Sequence, residues 1–367
     1  MDYIKKTIEL HNHFGKNDNY VQGAGGNISI KEDDIIHIKK SGKHFRDIKD
    51  ENDVISCNIS KEDIRGVLGI YNKKNLENAY NTLIEEKISG KDRPSIELSF
   101  HVFGDKYTLH LHPTIINIFT CTEEGQEIIK KLCEDNENMS YVDYCKPGII
   151  LTDKIMEKRS MLNEITFLFN HGIIITGPSE ESIKERYELI ENRLRKEIIY
   201  EEYKQDNELL SKSLNPDFDP EYNFLINNNF LRDKGLEIIK PYQQSSIEIF
   251  ELNHLYPDSA IYSAGIATQP VDEFSSNNLQ LLENVLLYGF RNVIVPIGDE
   301  IIEASVEWQI NVGNEKEAIF KTELLINKMK IEYFAQLNGF TPSYLDEKSV
   351  DELVNWDAEK YRQDLLK

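Results

Sequence analysis

The sequence predicts a mixed α/β fold, and three observations support this prediction. Segments with the spacing of strands alternate with segments with the spacing of helices through the first two hundred or so residues. Several neighbouring strands are joined by short turns, as in hairpins. The chain has 367 residues, of which 40% are hydrophobic, so it has enough apolar side chains for about two ordinary domains.

The elements of the first domain follow in order from these patterns. Apolar residues recur at helical spacing in "YIKKTI", which predicts a helix over residues 1–15. Further helices are predicted over 74–89, 94–104, 114–133, 148–162 and 179–204. Strands are predicted in "GGNISI", "DDIIHIKKSG", "VISCNI", "YTLHLHP" and "ITFLFNHGIIITG", the last being a strand pair with a turn at Asn170–Gly172.

A change of composition marks a domain boundary. Residues 204–223 are polar and contain two prolines, which is typical of a linker. We therefore expect a first domain over 1–205, a linker over 206–223 and a smaller α/β domain over 224–367. Within the last, strands are predicted at "AIYSAG" and "NVIVPIG", and helices are predicted near 275–289, over 314–337 and from 348. It contains no dinucleotide-binding or phosphate-binding glycine motif, and His254, Asp258 and Glu303 are polar but carry no further signal.

The net charge limits the classes of partner. A formal charge of −22 and a pI near 4.9 make the surface repel nucleic acids and anionic membranes. No apolar run reaches the roughly 20 residues that a membrane-spanning helix needs, and the N-terminal segment lacks the apolar core of a signal peptide. The four cysteines show no paired spacing, which is typical of reduced cysteines. We therefore expect a cytoplasmic protein.

Two histidines in "YTLHLHP" form the first candidate site. His110 and His112 occupy alternate positions of a predicted strand, so both imidazoles point to one face and lie close enough to share a metal ion. On spacing alone, a half-buried strand whose histidines face solvent is the simpler explanation. His11 and His13 have the same spacing in a predicted helix, where they diverge by roughly 200°, so we exclude them as joint ligands.

Two further residues extend this candidate site. His171 follows an apolar strand and precedes a glycine, which lets the backbone approach closely, although such a residue is more often a turn histidine. Three imidazoles and one open position describe a catalytic zinc-type site. Glu97, flanked by apolar residues in "RPSIELSFH", is the candidate carboxylate, with a pKa raised by those neighbours; the alternative is an exposed glutamate on an amphipathic helix. His101, four residues later, is placed to hydrogen-bond Glu97.

Three short segments are candidates for binding an anion. "GAGGNIS" places Gly26 beside Asn27 in a loop whose backbone N–H groups can cradle a phosphate. Ser41 and Gly42 form a second such turn. Ser95 lies near the start of a predicted helix, where N–H groups and the helix dipole favour an anion. Each segment is also ordinary loop chemistry when taken alone.

Five motifs together resemble a known family. "GGNISI", "KKSGKHF", "RPSIELSFH", "LHLHP" and "NHGIIITG" occur in the order seen in the class II aldolase/adducin family, and the resemblance covers about residues 1–205. It implies a three-layer α/β/α domain built on a mixed or antiparallel sheet. It also implies that His110, His112 and His171 bind the metal and that Glu97 is the catalytic acid/base.

The resemblance extends to the anion-binding segments, with two departures. Asn27, Ser41, Gly42 and Ser95 match the family's phosphate-binding positions. Ala24 and Ile96 stand where fuculose-phosphate aldolases have hydroxyl residues, so two donors are missing from the predicted anion site.

The resemblance implies a function. We expect a lyase that cleaves a carbon–carbon bond of a ketose phosphate or a related sugar, with a metal-stabilised enediolate and proton transfer by Glu97. One divalent ion per chain is expected, with Zn²⁺ first and Mn²⁺, Co²⁺ or Fe²⁺ as alternatives. Epimerases, dehydratases and decarboxylases on the same fold remain open, as does a non-enzymatic, adducin-like scaffold.

The resemblance also implies assembly. Family members usually form tetramers with active sites between subunits, so we expect a homo-oligomer, with a tetramer favoured. Tyr141 and Tyr144, in "NMSYVDYCKPG", lie in a segment that is placed to reach a neighbouring site, although tyrosines in such loops mostly pack.

Overall fold

A seven-stranded sheet forms the centre of the first two hundred residues. The computed structural model describes residues 2–69, 73–88, 92–157, 160–203, 208–211, 223–230, 233–234, 254–263, 290–293, 307–311 and 315–357. The strands of the sheet are β1 (Asn27–Glu32), β2 (Ile35–Lys39), β3 (Val54–Asn58), β4 (Tyr107–Leu111), β5 (Met139–Val142), β6 (Ile165–Leu168) and β7 (Gly172–Gly177). They lie in the order β3-β2-β1-β4-β7-β6-β5. Neighbours are antiparallel except β5 and β6, which are parallel, so the predicted mixed sheet is confirmed.

Helices pack on both faces of this sheet. They are α1 (Tyr3–Phe14), α2 (Lys61–Leu68), α3 (Lys73–Lys87), α4 (Leu98–His101), α5 (Thr114–Thr120), α6 (Glu123–Glu134), α7 (Ile149–Met156) and α8 (Glu180–Arg195). Successive side chains of β7 point to opposite faces. Ile173 and Ile175 join the hydrophobic cluster that contains α1, α5 and α8, whereas Ile174 joins the one that contains α2, α3 and α7.

Four predicted helices are shorter than the sequence pattern indicated, and one of them is the 148–162 helix, observed as α7 at Ile149–Met156. The 114–133 helix is broken at Thr122, which has an extended backbone and whose hydroxyl donates to the carbonyl of Ile118 at 2.6 Å. Such a side-chain bond competes with the helical backbone ladder. The 94–104 helix is reduced to the single turn of α4, which begins after Glu97. The 179–204 helix ends at Arg195.

The described C-terminal residues are mostly helical. They form α9 (Pro257–Ser263), α10 (Glu315–Leu337) and α11 (Glu347–Val354), together with a four-stranded sheet in the order β10-β11-β9-β8. The strands of that sheet are β8 (Glu208–Ser211), β9 (Asn223–Asn227), β10 (Phe290–Val293) and β11 (Glu307–Asn311).

Several C-terminal predictions need correction. The strand predicted at "AIYSAG" is wrong for 260–263, which belong to α9, because Pro257 at the first helical position has its φ preset for a helix. β8 lies within the predicted 206–223 linker, and the predicted 292–298 strand overlaps β10 at residues 292–293, whereas residues 294–298 lie outside the described residues. The predicted helix at 314–337 is confirmed. Residues 275–289 and Glu303 lie outside the described residues.

The C-terminal helices pack against the first domain. Leu324 and Phe334 of α10 and Tyr256 beside α9 belong to the same buried cluster as Ile116 of α5. The division into two domains therefore stays a prediction, since the described parts share one core. Within the described residues, no helix combines the length and apolar character that crossing a membrane requires.

Candidate metal centre

Three buried histidines lie together where β4 and β7 meet. The ring centroids of His110, His112 and His171 are 4.8 or 4.9 Å apart in every pair, and each residue is at most 4% exposed. One ligand nitrogen from each lies within 4.8 Å of the other two. The structure therefore brings together the strand-spaced pair and the histidine of the later turn.

The pairing of β4 with β7 fixes this meeting point. The antiparallel ladder of the two strands ends at Leu111 opposite Ile173, and His171 lies in the turn immediately before β7. A Cβ atom at Gly172 would lie 2.2 Å from the carbonyl oxygen of Leu111 and 2.9 Å from Cδ2 of His112. Glycine at this position thus permits the close approach that the sequence indicated.

The contacts of His110 orient its ring toward His112. Nδ1 of His110 donates to the carbonyl oxygen of Ile173 at 3.0 Å, which leaves the lone pair of a neutral imidazole on Nε2. This Nε2 is 3.0 Å from Nε2 of His112. Two imidazole nitrogens at this separation share either a proton or a metal ion.

Glu97 adds a carboxylate to the histidines. It is 5% exposed and immediately precedes α4. Its Oε2 lies 3.2 Å from Nε2 of His110, and its Oε1 lies 3.4 Å from Nε2 of His171. Nδ2 of Asn27 donates to Oε2 at 2.9 Å, whereas Oε1 is buried and makes no hydrogen bond within the described part of the chain. A carboxylate oxygen therefore faces the histidines without a donor.

Burial and mutual charge set the protonation of this group. Burial alone would raise the pKa of Glu97, but the adjacent His110 and His171 outweigh it and hold the pKa well below its usual range. Burial lowers the pKa of His171 to about 3 and also lowers the pKa of His112. The directions of these pKa shifts thus favour an ionised Glu97 beside neutral His112 and His171. The raised pKa expected for Glu97 is wrong, because the sequence pattern showed its apolar neighbours but not the histidines.

These residues fit a divalent metal ion. Neutral imidazole nitrogens and an ionised carboxylate are the donors that zinc and related ions take in proteins. The buried Oε1 of Glu97, which lacks a hydrogen bond among the described residues, is the kind of polar atom that a bound cation would satisfy.

A small cleft opens beside the histidines. All five predicted anion-binding residues line it, namely Gly26, Asn27, Ser41, Gly42 and Ser95. Ala24 and Ile96, the two departures from the family pattern, also line it. Asn27 links two of the segments, because its Nδ2 donates to Oγ of Ser95 at 2.9 Å as well as to Glu97.

His101 reaches Glu97 through a third residue. Its Nε2 is hydrogen-bonded to Oδ1 of Asn27, and its Nδ1 lies 2.7 Å from Oγ of Ser29. The predicted direct bond to Glu97 assumed that both residues lie on one helix face. That assumption fails because α4 begins only after Glu97, so His101 instead orients the Asn27 amide that contacts the carboxylate.

The two predicted tyrosines lie away from the cleft. Tyr141 is 39% exposed and stacks on Phe169, with ring centroids 5.1 Å apart. Neither Tyr141 nor Tyr144 lines the cleft of its own chain. Their contribution to a neighbouring subunit stays a prediction.

His11 and His13 lie on different sides of α1, and only His11 is buried. His11 is buried, with Nδ1 2.7 Å from the carbonyl oxygen of Thr7, and its Nε2 accepts the N–H of Ile28 at 3.2 Å. Burial lowers its pKa to about 3. His13 is exposed on the other side of the helix, so the two do not form a joint site.

Two cleft residues received no role in the sequence analysis, namely Lys39 and Asp258. Lys39 is 1% exposed, and its Nζ donates to the carbonyl oxygens of Ala24 and Lys43 at 2.7 and 2.6 Å. Because Lys39 follows Ile38 in β2, its side chain points to the opposite face of the strand, and this alternation could have been read from the sequence. Asp258 enters the cleft from the start of α9, with Oδ2 3.2 Å from Nδ1 of His112. No sequence pattern links Asp258 to His112, because the two residues lie far apart in the chain.

The fold and the site can now be compared with known proteins. Residues 5–198, over half of the chain, match the family described as the class II aldolase and adducin N-terminal domain. The chain therefore belongs to this family, which confirms the resemblance of the five motifs. The match ends at residue 198, so α9, α10 and α11 lie beyond it.

Named relatives share about a quarter of their residues with this chain. The L-fuculose phosphate aldolase of Methanocaldococcus jannaschii is 26% identical over 185 residues, which are 50% of this chain and 85% of the relative. The protein of the same name from Methanococcus maripaludis is 25% identical over 196 residues, which are 51% of this chain and 89% of that one. The solved N-terminal class II aldolase domain of a conserved protein from Thermoplasma acidophilum has a TM-score of 0.45 and 22% identity, covering 53% of this chain and 93% of that chain.

Proposed function

We propose that this protein is a metal-dependent carbon–carbon lyase that acts on a ketose phosphate or a related sugar. The observation that carries the proposal is the convergence of three histidines and the buried Glu97 carboxylate in a member of the class II aldolase/adducin family. The name of the relatives, L-fuculose phosphate aldolase, supports a sugar phosphate as the substrate class. A scaffold has no need for ionisable groups with perturbed pKa values gathered in a cleft, which favours an enzyme.

His110, His112 and His171 would hold one divalent ion, for which we propose Zn²⁺, with Mn²⁺, Co²⁺ or Fe²⁺ as alternatives. When bound, such an ion supplies Lewis-acid chemistry, because it stabilises negative charge on the oxygen atoms of a sugar. The neutral state of His112 and His171 suits this role, since protonated imidazoles cannot bind a cation.

Glu97 would move protons. Its ionised carboxylate can accept a proton from the substrate and later return it to the carbon that keeps the electron pair of the broken bond. Asn27 holds Oε2 by a 2.9 Å hydrogen bond, so the carboxylate stays oriented while Oε1 faces His171. Asn27 is itself held by His101, which gives the proton-transfer group a fixed position.

The loop at 23–29, the Ser41–Gly42 turn and Ser95 would anchor the phosphate. All three line the cleft beside Glu97, so an anion bound there would hold the reacting bond close to the carboxylate. Backbone N–H groups carry most of this contact, because Ala24 and Ile96 contribute no hydroxyl donors.

The direct test combines metal analysis with a substrate screen. We expect one divalent ion per chain in the wild type, loss of that ion in His110→Ala, and aldehyde release from at least one ketose phosphate. Each sugar phosphate is compared with its unphosphorylated form, which tests the anion site separately. An undiminished metal content in His110→Ala would contradict the site, and epimerised, dehydrated or decarboxylated products would replace the lyase assignment.

We also propose a cytoplasmic homo-oligomer, with a tetramer favoured. Light scattering at micromolar concentration measures the mass directly. A monomer with full activity would exclude a role for Tyr141 or Tyr144 at a neighbouring site.

A further inference from the structure

Asp258 lies beside Nδ1 of His112, the ring nitrogen that does not contact His110. Its Oδ2 is 3.2 Å from Nδ1 of His112, and the residue is 4% exposed. The other nitrogen of the same ring, Nε2, lies 3.0 Å from Nε2 of His110. Because the two ring nitrogens point in different directions, this carboxylate contacts the ligand from behind and leaves Nε2 for the ion.

His110 has the same arrangement with a different acceptor. Its Nδ1 donates to the carbonyl oxygen of Ile173, which belongs to the sheet itself. The acceptor behind His112, by contrast, comes from α9, beyond residue 198 where the family match ends. One ligand is thus oriented by the family's own domain and another by the C-terminal region.

We infer that Asp258 is a positioning residue of the metal centre and that the C-terminal region thereby completes the site. With Nε2 on the ion, the Nδ1–H of His112 lies 3.2 Å from this carboxylate, which would accept it, fix the neutral form with its lone pair on Nε2, and make the ring a stronger donor. This inference rests on the proposed function, because it requires His112 to bind a metal.

The position of Asp258 is itself fixed by contacts with the first domain. Nδ2 of Asn170, the residue before His171, donates to the carbonyl oxygen of Leu255 at 3.0 Å. The hydroxyl of Ser259 donates to the carbonyl of Tyr256 at 2.8 Å and closes the first turn of α9. The segment that carries Asp258 is therefore tied to the turn that carries another metal ligand.

Helix α10 holds the same segment from the other side. Its Asn327 donates to Oε1 of Gln22 at 3.0 Å and to the hydroxyl of Tyr256 at 3.2 Å. That hydroxyl donates to the carbonyl oxygen of Leu324 at 3.0 Å. The docking of α10 thus fixes the backbone just before Asp258, which couples C-terminal docking to the geometry of His112.

The test measures metal binding in the full-length chain. Asp258→Ala and Asp258→Asn are compared with wild type, with His112→Ala as the ligand-loss reference and with Tyr256→Phe as a control. Tyr256→Phe removes one hydroxyl from the docking contacts without touching His112. Co²⁺ affinity is measured by competition with a chelator, and the Co²⁺ absorption spectrum reports the ligand geometry independently of catalysis.

We expect Asp258→Ala to weaken Co²⁺ binding about 10- to 100-fold and to shift its spectrum, as loss of a carboxylate behind a ligating histidine does. Asp258→Asn should weaken Co²⁺ binding less than Asp258→Ala does, because its amide oxygen can still accept the Nδ1–H of His112. Tyr256→Phe should keep the wild-type spectrum and weaken Co²⁺ binding much less than Asp258→Ala does, because the other docking contacts of this segment remain.

Three outcomes would overturn the inference. If His112→Ala loses the ion but Asp258→Ala keeps wild-type affinity and spectrum, Asp258 does not position the ligand, while the proposed function stands. If Tyr256→Phe weakens Co²⁺ binding as much as Asp258→Ala does, both losses come from weaker docking of the C-terminal helices, and Asp258 does not position His112. If His112→Ala keeps the ion, the metal site itself is wrong. Should Asp258→Ala fail to fold, the near-isosteric Asp258→Asn decides by its spectrum and affinity.

Discussion

A buried carboxylate holds helix α10 to the first domain, and its removal is the sharpest test of this contact. Glu323 is 1% exposed, accepts the N–H of Gly23 at 2.9 Å, and also bonds Arg46. Its Oε2 is 3.2 Å from Nε2 of His44. Nδ1 of His44 accepts the N–H of Arg46 at 3.1 Å, whereas its Nε2 lies near the carboxylate without making a hydrogen bond to it. With Arg46 also 3.5 Å from Asp18, this cluster is an ion-pair network rather than a second metal site.

The cost of Glu323→Ala follows from the groups left behind. The N–H of Gly23 would be buried without an acceptor, at about 1–3 kcal/mol, and His44 would lose the carboxylate that lies 3.2 Å from its Nε2. Arg46 is 38% exposed in its side chain, so water replaces much of its lost contact and its share is small. We therefore expect the free energy of unfolding to fall by about 2–4 kcal/mol. Glu323→Gln, which keeps one acceptor oxygen, should lose roughly half as much.

Urea-induced unfolding, followed by circular dichroism, measures this change. The matched control is Glu352→Ala in α11, because Glu352 is 53% exposed and 3.8 Å from Lys348, and such surface pairs contribute about 0–1 kcal/mol. His44 and Arg46 outweigh the burial that would raise the pKa of Glu323, and hold that pKa below its ordinary 4.5. Its stabilisation is thus present above pH 4.5 and is lost in stronger acid. A loss below about 1 kcal/mol at pH 7 for Glu323→Ala would refute the reasoning.

Three further predictions follow from the structure. Glu97→Gln should keep the metal but lower the rate of aldehyde release about 10²–10⁴-fold; a wild-type rate would exclude its acid/base role. Gly25→Ala should weaken Co²⁺ binding, because its Cβ would lie 2.7 Å from Nδ1 of His112 and 2.8 Å from Oδ2 of Asp258, whereas Gly66→Ala, whose Cβ meets nothing within 4 Å, should bind as wild type does. Burial lowers the pKa of Lys330 from 10.5 to about 8. Between these two pH values the unfolded chain binds one more proton than the folded chain, so the free energy of unfolding should rise by about 2 kcal/mol from pH 8 to 10. Equal pH profiles of stability for wild type and Lys330→Met would contradict this.

The fold was predictable from the sequence where local pattern and tertiary structure agree. The alternation in "YTLHLHP" and the glycine after His171 have direct counterparts in β4 and in the turn before β7, because side-chain alternation is a property of the strand itself. The pattern failed where a side chain competed with the backbone. Thr122 ends α5 by bonding the carbonyl of Ile118, which a helical spacing of apolar residues does not reveal.

The site was predictable only in its nearest contacts. His110 and His112 are neighbours by register, but the contact of Asp258 with His112 depends on how the C-terminal helices dock. Sequence spacing carries no information about such a contact. The predicted direction of the Glu97 pKa shift was wrong for the same reason. That direction depends on histidines from two other elements, and not on the apolar residues beside Glu97 in the chain.

The C-terminal region bears on how the cleft is closed. Pro257 and Asp258 line it beside His112, and Trp356, just after α11, lies close to Gly148, where a Cβ would meet its ring at 3.3 Å. Trp356 also lines the adjoining pocket that shares Ser41, Ser95 and Ile96 with the cleft. Segments of the C-terminal region thus line both the cleft and the pocket that adjoins it. Because Pro257 and Asp258 already line the cleft, a proton donor from a neighbouring subunit would have to share it with the start of α9.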